Sequence, residues 1–580
     1  MNTWTIISFT IFTAMVAIVS WLITRKEDLS TNEGFFLGGR SLSGMSIGFS
    51  VLLTNWSAAQ LIGLNAQGFN YGLSNMTWTV TLAIGAVIMV CFFLPFFIKT
   101  RITTIPQYLE KRFGPVARNV FSFCILINMA VVVLPTVVYA GALGLSKMFD
   151  VSALLNISDD YSLILTIILI TIIGGVYAIL GGLKAVVVSD FINGIGFFIG
   201  SILILFLALK ALGDNSVIAG TVELITREPD KFNAVSPETT NMPLSVIFTG
   251  MILLNVYFCC ANQVYIQRAI GARSLAEGQK GILFAAVMKV VSILFLVVPG
   301  IAAYHLYGNE GIKADEAYPL LVNRLLPDYL LGFFGAIVFG AVISTFNSTV
   351  NSCSTIFSIN IYQPLIKSKK SGQDRTVFAG KVFGSLLILF VAIVAPLVQY
   401  APDGLFMFMQ EFAALFAIPM LLLILAGLAL KKATAKTAIP GAVLYICLYL
   451  IFKFVITGWD IHFLHTNALC FVLGAMLIAV LTYLYPGDES VAEAANTSDK
   501  EPPVPLENWK YLRIGCISAL TLVVATYALA SPIGLAAPVE DIPINILRIV
   551  AVSIACVFAI DYLIAKLWHK PQNVVATSES

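Results

Sequence analysis

The chain has 580 residues, of which 58% are hydrophobic and 11% charged, with a formal net charge of +2. Soluble domains carry roughly 25% charged residues, so this composition excludes a soluble globular protein and points to an all-α integral membrane protein, while the small charge excess gives no footing for nucleic acid. No phosphate-cradling glycine loop or nucleophile motif stands in the chain, and the four histidines show no ligand spacing, which argues against an enzyme and against ATP-driven chemistry.

Apolar runs close to the roughly 20 residues of a spanning helix give about 15 transmembrane spans. Numbered 0 to 14, they are 5–24, 42–66, 76–98, 119–147, 162–180, 187–212, 245–270, 281–306, 330–361, 377–400, 403–430, 437–457, 464–484, 511–531 and 545–568. Span 0 reads as a retained helix, since no basic residue precedes it and no clear cleavage site follows. Span 1 carries Asn55, Ser57 and Gln60 in the middle of an apolar run. Unwinding there would expose carbonyls, which are good cation ligands.

Asp190, at the start of span 5, reads first as a helix cap and second as a lining for an ion exit. Span 6 repeats the polar interruption at Asn255 to Gln263, five spans after the first. Such matched breaks are the mark of inverted repeats in transporters. Lys289 lies about eight residues, or roughly 12 Å, into span 7, where it either snorkels to the surface or faces a polar solute. In span 8, Ser344, Ser348, Asn351 and Thr355 form one polar stripe on a helix. That stripe must face protein or water; it suits a weakly held monovalent cation or a polar solute, or close helix packing. Gln410 and Glu411 sit one or two turns inside span 10, and Lys453 reads as a snorkelling anchor.

Most of the 34 basic residues, including Lys26, Arg112, Arg268, Lys280, Lys367, Lys369 and Lys370, fall on one side if the N-terminus is outside. The positive-inside tendency then gives a multi-pass protein of the plasma (inner) membrane, N-terminus outside and C-terminus cytoplasmic. The nine cysteines read as small core residues. The organisation expected is an N-terminal extra helix and loop (1–41), a core (42–430), two accessory helices (431–485), a flexible cytoplasmic linker (486–510) and two C-terminal helices with a tail (511–580).

Several segments together resemble the solute:sodium symporter family, and within it the sodium/galactose transporter type. They are Asn55 to Gly63, Thr104 to Phe113, Tyr177 to Val186 with Asp190, Gln267-Arg268 with Glu277 to Gly281, and Ser344 to Tyr362. The resemblance covers about residues 5–485. It implies an inverted five-helix repeat core, spans 1–5 and 6–10, and symport of a small polar solute, a sugar by preference, driven by sodium ion. It also implies a sodium site at the carbonyls of Leu53, Trp56 and Ala341 with the hydroxyls of Ser344 and Thr345, and an ion exit at Asp190. Solute contacts fall on Gln60, Asn255, Lys289, Gln410, Trp78 and Thr79, and gates on Phe258 and Phe406. Thr79 stands where the family pattern has glutamate and Phe258 where it has tyrosine, which bears on the choice of sugar. The rival readings are a symporter for a polyol, carboxylate or amino acid, a solute-sensing receptor that does not transport, and a channel. Membrane lipid is the other expected partner; the oligomeric state is not legible.

Overall fold

The computed structural model describes residues 3–25, 34, 37–235, 242–366, 373–400, 405–456, 458, 461–496 and 504–568. Lys26, Lys367, Lys369, Lys370, His569 and the centre of the expected linker lie outside the described residues. Among those described, the regular structure is helical apart from one isolated backbone bridge, Leu42 to Ala272. The chain is an all-α membrane protein.

Twelve helices among the described residues are long and apolar enough to cross a bilayer, beginning with α1 (Thr3–Thr24). A thirteenth is the pair formed by α7 (Leu275–Val291) and Ile293–Glu310, bent by 48°. The shortfall from fifteen comes from broken helices. Ala58–Thr100 runs for 43 residues, about 65 Å if straight, against a hydrocarbon core of about 30 Å. The turn Gly72–Met76 divides it, opened by Gly72 at φ 69, a conformation that glycine adopts without strain. Two short apolar helices, α2 (Gly44–Asn55) ahead of α3 (Ala58–Tyr71) and α5 (Gly250–Cys260) ahead of α6 (Gln263–Ile270), are halves of spans 1 and 6.

Burial separates a core from a periphery. The best window of Asp328–Leu365 is 78% buried, against 11% in α1 and 6% in Ile542–Lys566. α8 (Asp328–Ile356) therefore runs through the protein interior, which is where its hydroxyls must be. It packs against α4 (Leu183–Leu212) and α1. A Cβ on Gly340 would stand 2.5 Å from Asn193 Cγ, so a glycine faces the Asn193 amide where α8 and α4 pack.

The 486–510 stretch is not wholly a loose linker: Glu489–Asn496 is helical with Ala492 and Ala495 buried. Beyond it, Leu275 N donates to Pro505 O at 3.0 Å, and Trp509 N donates to Gln279 Oε1 at 2.8 Å. Lys453, expected as a snorkelling anchor, is 2.7 Å from Glu411 and pairs with it. Arg112 is buried and donates to the carbonyls of Gly427 (3.1 Å), Leu430 (2.7 Å), Lys431 (2.9 Å) and Ala433 (2.7 Å). It thus satisfies acceptors left over at the end of α9 (Leu405–Ala429) and in the following turn.

Candidate ion and solute site

The break between α2 and α3 is two residues long. Trp56 leaves the helix at φ −74, ψ 50, and Ser57 is extended at φ −68, ψ 163. The Ser57 hydroxyl accepts from Gln60 N and restarts the helix as an N-cap. The Trp56 ring is locked among Phe197, Phe198 and Phe295, which fixes where the break falls. Neither the Leu53 nor the Trp56 carbonyl accepts a backbone hydrogen bond across it. From α8, Thr345 Oγ1 lies within donating distance of two carbonyls, Thr54 at 3.0 Å and Ala341 at 3.2 Å. Ser344 is buried, its hydroxyl interacting with the Asp190 carboxylate. The five residues expected to hold sodium are thus on the facing elements α2 and α8, although the carbonyl meeting Thr345 is that of Thr54, next to Leu53. All are neutral oxygens, the donor class that a loosely held sodium ion takes.

One turn into α3, Gln60 Oε1 accepts from the ammonium of Lys289. Lys289 is 1% exposed, so the snorkelling alternative fails. Asn255 Nδ2 donates to Thr81 Oγ1 at 2.7 Å, and Thr79 donates to Met76 O at 2.8 Å within its own turn. Gln410 is buried, and the Trp78 indole N–H is buried without a partner. Trp78 meets Phe406 edge-on at 5.5 Å, and Gly63 lies so close to Phe406 that a Cβ would come within 2.7 Å of it. These three close one side of the region.

Beside Lys289 is a cavity of about 20 Å³, room for a water and not for a sugar, whose walls include Asn55, Leu82, Cys259 and Tyr265. Phe258 is half-buried against Tyr257, 6.0 Å away, and does not line that cavity. The aromatic that does is Tyr265, whose hydroxyl accepts from Asn55 Nδ2 across the two broken helices. Sequence reasoning missed Tyr265; its signal was a tyrosine directly after the second break.

A second polar centre lies deeper in the bundle. Asp190 and Arg268 form an ion pair at 3.4 Å, with side chains 0% and 1% exposed. Ser50 bridges them, donating to Asp190 Oδ2 at 2.5 Å and accepting from Arg268 Nε at 2.6 Å. Arg268 also donates to Thr54 Oγ1 at 2.8 Å and to Ser348. Asp190 lies within a continuous helix and has no helix start to cap, and Arg268 is an interior residue rather than a surface charge. The α8 stripe faces α6: Gln267 donates to Thr355 at 3.1 Å and accepts from Ser352 at 3.2 Å. Both amide ends of Asn347 and Asn351 are buried without partners.

The profile of the sodium:solute symporter family matches residues 35–444. The chain is 39% identical over 533 residues to the uncharacterised symporter YidK of Escherichia coli K12, covering 91% of each. It is 31% identical to the sodium/glucose cotransporter of Vibrio parahaemolyticus over 77% of this chain and 85% of that one. Among solved structures it is similar to a sodium-coupled sialic acid symporter in a substrate-bound outward-open state, with a TM-score of 0.72 at 21% identity, over 84% of this chain and 99% of that one. The broken first helix facing the hydroxyls of α8 and the family match over most of the chain lead to one conclusion: this protein belongs to the sodium:solute symporter family.

Proposed function

We propose that the chain takes up a small polar solute, a sugar by preference, with sodium ion by alternating access. The observation carrying this reading is the contact of Thr345 with the α2 break, one turn from Gln60 and Lys289. Sodium held by the carbonyls of Leu53, Trp56 and Ala341 and the hydroxyls of Ser344 and Thr345 would fix α2 against α8. The solute would lie between Gln60, Asn255, Lys289 and Gln410, with Trp78 and Phe406 closing over it and Thr79 at the edge. The glucose cotransporter relative supports a sugar.

Coupling is a difference in sodium affinity between the two facing states. On the orientation with the N-terminus outside, the gradient supplies about 2.3 kcal/mol per charge per 100 mV and about 1.4 kcal/mol per tenfold sodium ratio. Asp190 would then lie on the ion's way out. The reading is tested by uptake of labelled glucose and galactose into proteoliposomes. Accumulation with an inward sodium gradient, and none with potassium, is expected; equal uptake with both overturns it.

A further inference from the structure

Lys289 is a buried amine whose charged form has nothing to neutralise it. Its side chain is 1% exposed, and its hydrogen-bond partner is the neutral Gln60. No carboxylate acts on it among the described residues. Two carboxylates of the bundle are committed elsewhere, Glu411 to Lys453 at 2.7 Å and Asp190 to Arg268 at 3.4 Å. Thr79 and Thr81 offer neutral hydroxyls, each already donating to a backbone carbonyl of its own helix. The Trp78 N–H, on a short helix packed against α7, is a second buried donor without an acceptor. The region is thus rich in donors; with Lys289 protonated it would carry one net positive charge, to which a bound sodium ion would add another. A buried cation without a counter-ion is expensive, and an ion pair with good geometry offsets that expense.

We infer that the solute brings the missing negative charge: a polyhydroxylated carboxylate, such as a uronic or aldonic acid, whose carboxylate pairs with Lys289 while its hydroxyls meet Gln60, Asn255 and Gln410. This rests on the proposed solute site. It goes further by replacing a neutral sugar with its acid.

The test uses matched pairs on the purified full chain: D-glucose against D-glucuronate, and D-galactose against D-galacturonate, in sodium and in potassium, read by thermal shift and by proteoliposome uptake. The acid of a pair should bind more tightly than its neutral parent by roughly tenfold or more, the size of one charge-assisted contact. That preference should vanish in Lys289→Gln and persist in Lys289→Arg. Should Lys289→Gln fail to fold, the wild-type ranking alone decides. A neutral sugar preferred over its acid, with sodium dependence intact, overturns the anionic solute and leaves sodium symport standing. If sodium shifts the melting temperature but no member of either pair does, the sugar reading falls and this inference with it; if sodium and solutes are both silent, the symport reading falls.

Discussion

Thr345 and Thr54 are 291 positions apart in the chain, and the hydroxyl of the first donates to the backbone carbonyl of the second at 3.0 Å. A side chain in the middle of an α8 buried on all sides thereby touches the one place where α2 runs out of helical hydrogen bonds. An ion at this contact would be held by groups from two different helices, α2 and α8.

Replacing Ser344 and Thr345 by alanine removes two oxygens from that contact while leaving the solute region untouched. The sodium concentration for half-maximal uptake should rise by roughly tenfold or more, each lost ligand contributing on the order of 1 kcal/mol. Thr345→Ser, which keeps the oxygen, should behave close to the parent. An unchanged sodium dependence in the double variant would count against the site.

Breaking the Asp190–Arg268 pair leaves an unpaired charge in a fully enclosed position. Asp190→Asn or Arg268→Gln alone should lower stability by about 3–5 kcal/mol, and the double variant should recover a large part of it, because neither charge is then stranded. Thermal unfolding in detergent gives the three values, and equal losses in single and double variants would contradict the pairing.

Tyr265→Phe removes the acceptor for Asn55 and so loosens the wall of the small cavity beside Lys289. Cys259 lines that cavity and is buried. Its alkylation by a small maleimide should become several-fold faster in the variant, an opening that one neutral hydrogen bond of about 1 kcal/mol can control. Labelling at the parental rate, followed by mass spectrometry of the Cys259 peptide, would show that the contact does not restrain the wall.

Arg112→Lys keeps the charge but loses the planar fork that reaches four carbonyls. Stability should fall by about 2 kcal/mol, since several buried acceptors are left unmatched. The melting temperature measures this, and an Arg112→Lys protein as stable as the parent would mean that water satisfies those carbonyls.

Much of this molecule is legible in its sequence. The runs of apolar residues locate the spans, because a bilayer about 30 Å thick demands a fixed length of helix. The polar interruptions at Asn55, Ser57 and Gln60 and at Asn255 to Gln263 announce the two breaks, which the structure narrows to Trp56–Ser57 and Ala261–Asn262. The stripe through Ser348 and Thr355 announces a helix that cannot face lipid.

What the sequence leaves open are the pairings between distant elements. Arg268 looks like one more surface charge until α2, α4 and α8 close around it and make Asp190 its counter-ion. Lys289 looks like a snorkelling lysine until α3 delivers Gln60 to it in the interior. Tyr265 acquires a role only when two broken helices meet. Periodicity along one helix decides which residues share a face, so the sequence alone settles spans, breaks and stripes. Which faces meet is decided by the packing of the whole bundle, and with it the electrostatic balance of every buried group.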